Sequence, residues 1–441
     1  MDAPFSRALI YYEGITPFLR LPPELLLLIF KWLVSSTRSS LSLFPIAFVC
    51  RSFHSLLRND PSSWTTIPIA LPTLESHRDN AKFPDFTRTV ALALNYSRGR
   101  PLSLTVNLLH GSENHLTSDD PSGIRLKDGL ISDFITRLFR VLPRCRELTI
   151  ECSLWRDMET LIRLVKRSIK DNGTSLRLES FIMTYNPTHS IEAFFHPNVL
   201  PTSPLIWSEN PDEHITTPLP CLTNLVINNI THNWPLLTLS GLHTLRLINI
   251  PSNNSPSYAD LHRILLENAE TLTTLELSDI SVNDNKAVAE RFTVPNLKRM
   301  TIGFGHPKDL GWAAKILDLP ALEELAIEDR IAGLRLGSGR PWVSEARKRQ
   351  AREGYRELMK WFPLGRVRKL NLRRVVFYDS GSEGVVEEGK SVPFAFEFLS
   401  EFREVRNLEV WHDDSSLACA DIVKSSDTLF PNLCSCYIGR L

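Results

Sequence analysis

Residues 242–250, LHTLRLINI, and residues 272–280, LTTLELSDI, repeat one short phrase. In both, leucines at the first, fourth and sixth positions are followed by an isoleucine at the ninth. Because alternate residues of a β-strand point to opposite faces, the fourth and sixth positions face a core and the residues between them face away. The phrase therefore predicts a strand that buries one face by stacking on further copies of itself.

The same phrase recurs along most of the chain. Further clear copies begin at Leu222, Leu297, Leu322, Val367, Val405 and Leu433, and weaker ones at Cys145 and Leu178. Successive clear copies start 20, 30, 25, 25, 45, 38 and 28 residues apart. Two of these intervals fit the middle of a leucine-rich repeat of about 20–29 residues, and the longer ones indicate insertions. Apolar residues at helical spacing between copies, as at 158–169 and 261–268, predict helices that return along the outside.

This alternation predicts an α/β protein, an irregular leucine-rich-repeat solenoid with parallel strands on its concave face and helices and loops outside. A Rossmann-type domain is the structural alternative, although no Gly-x-Gly-x-x-Gly stands at a strand–helix junction. Solenoids of this kind bind partners along the strands. The outward strand positions predicted to contact a protein target are Arg246, Glu276, Thr301, Glu328, Arg373, Trp411 and Tyr437.

A different pattern occupies residues 21–67, which begin LPPELLLLIFKWLV. Pro23 suits the first position of a helix, and Glu24 complements the helix dipole in its first turn. The apolar residues that follow cover nearly all sides of this helix, so it must be buried on more than one side. A module of about 45 residues covers only one of those sides by itself, and the other side requires a partner. A second helix with apolar spacing from Ile46 to Leu57 follows a Ser-rich stretch, 35–40, that predicts a loop.

The order Leu-Pro-x-Glu-Leu-Leu-x-x-Ile-Phe from Leu21, then Val-Cys-Arg-x-Phe from Val49, then Pro-x-x-Trp from Pro61, resembles the F-box. The resemblance implies binding to the Skp-family adaptor of a cullin-RING ubiquitin ligase, and through it to a cullin. Transferred residue by residue, the adaptor contacts would be Leu21, Pro22, Ile29, Phe30, Val49, Cys50, Phe53 and Trp64. A helical hairpin that packs only against its own chain is the alternative interpretation.

Residues 90–108 contain two alternating, strand-like runs around an Arg-Gly-Arg-Pro turn. A strand–SRGRPL–strand unit after an F-box is similar to many basidiomycete-fungal F-box proteins with C-terminal repeats. The predicted organisation is an N-terminal extension (1–20), an F-box (21–67), a connecting segment (68–140) and repeats (141–441). Insertions interrupt the repeats at 184–220, which is rich in proline, and at 329–366. Residues 335–374 are basic and predict an amphipathic helix.

Composition and missing motifs restrict the function. Fifty Lys and Arg balance fifty Asp and Glu, so the zero net charge argues against nucleic-acid binding. No nucleophile elbow, phosphate loop or zinc motif occurs, so we expect no enzyme, no catalytic residues, no metal and no cofactor. His412-Asp413-Asp414 is interpreted as a turn. The most hydrophobic run, 25–33, contains Lys31 and is too short for a bilayer, and we identify no signal peptide, so we expect no membrane association and a cytoplasmic or nuclear location.

These features together predict an adaptor in which the F-box docks onto an SCF-type ubiquitin ligase and the repeats hold an unknown protein target. Such a subunit would act by proximity, because it raises the effective concentration of the target near activated ubiquitin. The alternative is a leucine-rich-repeat interaction scaffold with no ubiquitin-ligase role.

Overall fold

The chain divides into two compact units, residues 1–106 and 107–441. The computed structural model describes residues 21–70, 82–108, 129–153, 155–172, 176–186, 219–230, 234, 239–250, 255–280, 291–330, 345–375, 394–412 and 429–440. The predicted extension 1–20, most of the 184–220 insertion and residues 331–344 of the 329–366 insertion lie outside these residues. The predicted boundaries at 67/68 and 140/141 stay predictions.

The first unit is mainly helical. Its elements are α1 (Pro23–Thr37), α2 (Leu43–Ala47), α3 (Arg51–Asn59), β1 (Thr66–Ala70), α4 (Lys82–Tyr96) and β2 (Leu102–Leu108). As predicted, α1 begins at Pro23 with Glu24 in its first turn. It ends at Arg38, which adopts a left-handed conformation with φ 50°.

The Ser-rich stretch predicted as a loop is mostly ordered into helical turns. Ser35 and Ser36 belong to α1, and Ser40–Ser42 forms a single 3-10 turn. The Ser39 hydroxyl caps this turn by accepting a hydrogen bond from the Leu41 N–H at 3.2 Å. Ser40 is fully buried and donates to the Thr66 carbonyl at 2.6 Å. The hydroxyl groups of Ser39 and Ser40 thus form hydrogen bonds with main-chain groups of this segment and of β1, and they stabilise a compact turn where a loop was predicted.

The second predicted helix is divided in two. The chain leaves α2 at Phe48 and enters α3 at Arg51, so Val49 and Cys50 lie in a break and not on a helical face. Cys50 is extended, and its Sγ accepts a hydrogen bond from the Phe53 N–H at 3.5 Å. The thiol takes the N-cap position that polar side chains usually hold.

The first of the two strand-like runs was predicted wrongly, because residues 90–96 belong to helix α4. Val90 and Leu92 alternate with small or polar residues, but the buried positions are Val90, Ala93 and Ser97, three and four residues apart. That spacing is helical. Positive φ at Arg98 and Gly99 then ends the helix, and the second run forms strand β2 as predicted.

The second unit alternates strands with returning segments. Its strands are β3 (Cys145–Cys152), β4 (Ser180–Tyr185), β5 (Asn224–Asn228), β6 (Thr244–Ile250), β7 (Thr274–Ile280), β8 (Phe292–Thr293), β9 (Arg299–Phe304), β10 (Leu317–Asp318), β11 (Glu324–Asp329), β12 (Lys369–Arg373), β13 (Asn407–His412) and β14 (Ser435–Arg440). Its helices are α5 (Gly129–Phe139), α6 (Trp155–Asn172), α7 (Tyr258–Glu267), α8 (Pro307–Ile316), α9 (Glu345–Trp361) and α10 (Phe394–Ser400).

A large parallel sheet organises this unit. Its strands lie in the chain order β3, β4, β5, β6, β7, β9, β11, β12, β13 and β14, while β8 and β10 form a separate parallel pair. The order does not reverse anywhere between β3 and β14, so this part of the sheet lacks the switch point at which a Rossmann domain binds its ligand.

Each predicted phrase coincides with one strand of the sheet. The fourth positions align in one row, so that Leu225, Leu245 and Leu275 are register partners, and the sixth positions align two residues later. Both rows are buried, as the alternation predicts. The residues between them form the opposite face, which we call the polar face.

A left-handed residue occupies the eighth position of several copies of the phrase, at or just after the end of the strand. Asn229, Asn249, Asp279 and Arg374 all have φ between 53° and 57°. Asparagine and aspartate tolerate this conformation better than most residues, and the turn lets the main chain reach the next strand. The Asn229 N–H donates to the Ile248 carbonyl at 2.8 Å, and the Arg374 N–H donates to the Trp411 carbonyl at 2.8 Å.

The returning helices bury the faces that their periodicity predicts. Residues Met158, Leu161, Ile162, Val165 and Ile169 of α6 are buried. Helix α9 is amphipathic, with Tyr355 and Leu358 buried and Arg349 and Arg356 exposed.

Ser257 caps α7, and Asp260 is the reciprocal member of its capping box. Helix α8 begins at Pro307, which suits the first turn of a helix, and His306 and Asp309 form its capping box. Among the described residues, no helix combines the length and the apolar character that crossing a bilayer requires.

Candidate adaptor-docking surface and polar sheet face

Helix α1 carries two separate apolar stripes. Leu26, Phe30 and Val34, four residues apart, are buried inside the first unit. A second set, which we call the docking stripe, is exposed and consists of Leu25, Leu28, Ile29 and Trp32. Positions three and four apart lie on one side of a helix, so the docking stripe is continuous. The helix therefore has an apolar side that the first unit leaves uncovered.

The docking stripe is unusual within the molecule. Trp32 is 69% exposed and Leu28 is 64% exposed. In the described residues, eight large apolar side chains are exposed, and six of them fall between Leu25 and Val49. Single exposed apolar residues are common on proteins, but a concentration of this kind marks an interaction site.

Two more exposed apolar residues stand at the break between α2 and α3. Phe48 is 77% exposed and Val49 is 64% exposed. The turn is fixed from both sides, because the Val49 N–H donates to the Ile46 carbonyl at 3.0 Å and Cys50 caps α3. The break therefore holds both side chains outward on a defined main chain.

Three of the predicted adaptor contacts are instead core residues, which corrects the transfer from the F-box pattern. Phe30, Phe53 and Trp64 are at most 4% exposed. Phe30 meets Phe53 edge-on, and the Trp64 Nε1–H donates to the Leu57 carbonyl at 2.8 Å. Aromatic rings packed in this way hold the helices together and are not available to a partner.

The remaining predicted adaptor contacts lie at accessible positions. Ile29, Val49 and Pro22 are exposed, and Leu21 and Cys50 are half-buried. The prediction omitted Leu25, Leu28, Trp32 and Phe48. Leu25, Leu28 and Trp32 could have been found from the helix that is apolar on all sides, but Phe48 carries no comparable signal.

The 3-10 turn Pro61–Trp64, which follows α3, is stabilised by hydrogen bonds and an ion pair to Asp60. Ser62 and Ser63 both donate to Asp60 at 2.6 Å, and Lys31 Nζ lies 3.5 Å from its carboxylate. Burial works against the charged form of Asp60, but these hydrogen bonds and the Lys31 charge together hold its pKa below the ordinary value. Lys31 lies on α1, so this contact ties the turn to the helix that carries the docking stripe.

The polar face of the sheet brings the predicted target contacts into two rows. Register pairing places Arg246 beside Glu276 and Glu276 beside Thr301. It places Tyr437, through Glu409 and Asn371, in the same row. The second row, two residues further along the strands, contains Glu328, Arg373 and Trp411 as consecutive neighbours.

Several charges on the polar face are already paired. Arg246 pairs with Glu276, and Lys369 Nζ lies 3.0 Å from Glu409. Arg374 lies 3.7 Å from Glu328. Such exposed pairs contribute little to stability, about 0–1 kcal/mol each, but they reduce the free charge that a partner meets.

An acidic cluster lies where β7, β9 and β11 end. Asp329 accepts a hydrogen bond from Arg347 at 2.9 Å, and the same guanidinium donates to the Gly305 carbonyl at 2.8 Å. Asp309 of α8 accepts from the His306 N–H at 3.3 Å. Burial, joined by the charge of Asp279, raises the pKa of Asp309 to about 7.

Within the residues that the structure describes, no group of three or more His, Cys, Asp or Glu side chains is placed to hold a metal ion. Asp413 and Asp414 of the predicted turn lie outside those residues.

The comparison with family models supports the first of these two surfaces. A family model described as F-box-like matches residues 18–69. The matched range contains α1, α2 and α3, the docking stripe and the buried aromatic core. The chain therefore carries an F-box-like domain at its N-terminal end, joined to a unit built on a large parallel sheet. A search of curated proteins with the whole chain returns no match.

Proposed function

We propose that the chain is the substrate-receptor subunit of an SCF-type cullin-RING ubiquitin ligase. The F-box-like domain binds a Skp-family adaptor, and through it a cullin, while the second unit binds a protein target. The observation that carries the proposal is the exposed docking stripe on α1 within the F-box-like domain. Burying each such side chain against a partner contributes about 1.5–3 kcal/mol, so four together supply a substantial interface core.

The second unit, in this proposal, is an irregular leucine-rich-repeat solenoid. Ten copies of the phrase Leu-x-x-Leu-x-Leu, counting the weaker ones, precede or enter ten parallel strands in chain order, which is the arrangement that such repeats produce. The polar face is then the surface offered to the target. The ligase subunits perform the chemistry, so this chain is not an enzyme and needs no catalytic residues, metal or cofactor.

The proposal extends to the cellular setting. A ligase subunit of this kind works in the cytoplasm or the nucleus, where its other subunits operate. A relationship to the basidiomycete-fungal F-box proteins rests only on the SRGRPL sequence at 97–102, because the run before it is helix α4 and not a strand. The alternative, a repeat scaffold without a ligase role, differs in one respect: it requires no adaptor.

Recovery of the adaptor separates the two functions. The full chain is co-expressed with a tagged Skp-family adaptor, and the amount captured is compared for the wild type, Leu28→Asp and Trp32→Asp. A charge in the centre of the docking stripe should reduce recovery by roughly tenfold or more, since an unpaired carboxylate would be buried in an apolar interface. Phe30 is not suitable for this test because it belongs to the core.

Leu266→Asp provides the matched control. Leu266 lies on α7 in the second unit and is 56% exposed, which is comparable to the docking stripe. Its substitution introduces the same charge and should leave recovery unchanged. Equal recovery of the adaptor with all four proteins, or no recovery with the wild type, would contradict the ligase role and leave the scaffold.

A further inference from the structure

One end of the polar face carries an aromatic pair over a glycine. Trp411 of β13 and Gly439 of β14 are register partners, and Tyr437 precedes Gly439 by two residues. The Trp411 and Tyr437 ring centroids lie 4.9 Å apart. A Cβ at Gly439 would lie 2.7 Å from Tyr437 Cε1 and 2.8 Å from Trp411 Cε3, so the absence of a side chain lets the rings close over this position. The result is an apolar platform, with Tyr437 53% exposed.

A cation with spare hydrogen-bonding capacity stands beside this platform. Arg373 of β12 is the register partner of Trp411, and it is exposed. Its Nε donates to Asn371 at 3.3 Å. In the part of the chain that the structure describes, Arg373 has no carboxylate partner, and its hydrogen bond to Asn371 uses only Nε.

The neighbouring carboxylates are engaged by other residues. Glu409 accepts a hydrogen bond from Asn371 at 2.9 Å and pairs with Lys369. Glu328, which is the register partner of Arg373, lies 3.7 Å from Arg374. Asn371 itself is used from both sides, because its amide donates to Glu409 and its oxygen accepts from Arg373. Among the described residues, this network positions Arg373 and provides no carboxylate to pair with it.

A guanidinium next to an aromatic platform indicates which chemical groups a ligand must carry to bind there. A guanidinium binds carboxylate or phosphate oxygens, and aromatic rings bind apolar or aromatic side chains. Adjacent strands are about 4.8 Å apart and an extended chain rises about 3.3 Å per residue, so both contacts suit one extended segment. In that segment the anionic and apolar side chains would be about one to three residues apart.

We infer that this end of the polar face binds an extended segment of the target protein that carries an anionic side chain close to a large apolar one. Arg373 holds the anion, and Trp411 with Tyr437 hold the apolar side chain. The inference rests on the proposed function, since it names the class of target that the substrate receptor takes. Aspartate, glutamate and phosphorylated serine share the required chemistry.

Selection from peptide libraries tests this inference directly. The purified full chain is incubated with a randomised ten-residue synthetic peptide library, made in one form with serine and in another with phosphoserine at a fixed position. Bound peptides are then sequenced. We expect enrichment of peptides with an acidic or phosphorylated residue within about three residues of Phe, Leu, Ile or Trp. Enrichment only from the phosphoserine library would identify phosphate as the anion.

Variants assign the selection to Arg373. Arg373→Gln should reduce the preference for anionic peptides by roughly tenfold, because it removes a charged hydrogen-bond donor. Arg373→Glu should reverse the preference towards Lys and Arg, which a purely structural role would not produce. Tyr437→Ala should weaken selection of the apolar residue. Arg137→Gln is the matched control, because Arg137 is an exposed arginine of helix α5 that pairs with Asp133 and lies outside the strands of the polar face, and it should select as the wild type does.

The outcomes that overturn the inference are specific. They are a wild-type chain that enriches no anionic peptides, and an anionic preference that survives Arg373→Gln. Recovery of the Skp-family adaptor by the same variants is measured in parallel. Loss of peptide selection with intact adaptor recovery contradicts only this inference, whereas loss of adaptor recovery by the wild type contradicts only the ligase role.

Discussion

Phe30 and Phe53 pack edge-on in the core of the F-box-like domain, with ring centroids 5.5 Å apart and ring planes inclined by 76°. Both side chains are buried, although neighbouring residues of the same helix, Ile29 and Trp32, are exposed. The helix therefore divides its apolar residues between folding and docking within a single turn.

This division predicts that substitutions of two large apolar residues of α1 have very different effects on the stability of the first unit. Phe30→Ala should destabilise the first unit by about 3–5 kcal/mol, because it removes a buried ring and leaves a cavity. Trp32→Ala should change stability by less than about 0.5 kcal/mol, since its ring is already in water. Hydrogen exchange of the α1 and α3 amides measures both. Equal loss of protection in the two variants would mean that Trp32 also belongs to the core.

The sequence of α1 predicts that one apolar side is uncovered, but not which apolar residues lie on that side. An apolar helix that exceeds the covering capacity of its module predicted an uncovered side, and the exposed docking stripe agrees with that prediction. Sequence could not assign Phe30 inward and Trp32 outward, because both are large and apolar. That assignment depends on how α1 packs against α3, where the Phe30 and Phe53 rings meet.

The repeat strands were the most predictable elements. Their period of two and their recurrence are properties of the chain itself, so Leu225 and Ile227 were correctly placed in the core. The strand prediction for residues 90–96 was wrong because their spacing does not by itself distinguish a strand from a helix. A short apolar stretch such as VALALNY has both helical and strand spacing, and the buried positions Val90, Ala93 and Ser97 decide the matter through tertiary packing.

Asn268 provides a second prediction, because it satisfies three buried main-chain groups at the end of α7. Its oxygen accepts from the Leu242 N–H at 2.8 Å, and its amide donates to the Leu239 and Ile264 carbonyls at 3.0 and 2.7 Å. Asn268→Ala should lower the free energy of unfolding by about 2–4 kcal/mol, since these groups lose their partner in a dry environment. A urea midpoint measures the loss.

Asn296→Ala is the comparison for that variant. Asn296 also donates to a main-chain carbonyl, that of Glu270 at 2.8 Å, but it is exposed, so water replaces the lost contact. Its substitution should cost less than about 1 kcal/mol. Similar losses for Asn268→Ala and Asn296→Ala would show that the buried network contributes no more than a surface hydrogen bond.

Gly303 gives a third prediction through its close approach to Ser278 on the neighbouring strand. These residues are register partners, and a Cβ at Gly303 would lie 2.5 Å from Ser278 Oγ and 2.9 Å from Ser278 Cβ. Gly303→Ala should therefore destabilise the second unit by about 1–3 kcal/mol through overpacking. In a Ser278→Gly background the same change should be nearly neutral. Additive losses in the double variant would exclude this contact as the cause.

Gly365→Ala controls for the methyl group itself. A Cβ at Gly365 would meet only the Glu401 carbonyl oxygen, at the ordinary distance of 3.8 Å. Stability should remain the same or rise slightly, because alanine restricts the unfolded chain more than glycine does. Denaturant midpoints of the wild type, Gly303→Ala, Ser278→Gly and the double variant form the cycle, and Gly365→Ala is measured beside them as the control.

The last prediction concerns pH and Asp309. Burial and the nearby charge of Asp279 raise the pKa of Asp309 from 3.8 to about 7. Between these two values the folded chain holds a proton that the unfolded chain has released. The free energy of unfolding therefore falls as the pH rises through this window, and each unit of pKa difference corresponds to about 1.4 kcal/mol.

Asp309→Asn should flatten this dependence, because an amide is neutral at every pH and its oxygen still accepts the His306 N–H. Relative to the wild type, the variant should gain stability as the pH rises from about 4 to about 8, as measured by urea midpoints across that range. Asp260→Asn controls for the amide, since Asp260 holds the same capping position in α7. A slope for Asp309→Asn that equals the wild-type slope would show that Asp309 does not hold a proton in the folded chain at neutral pH.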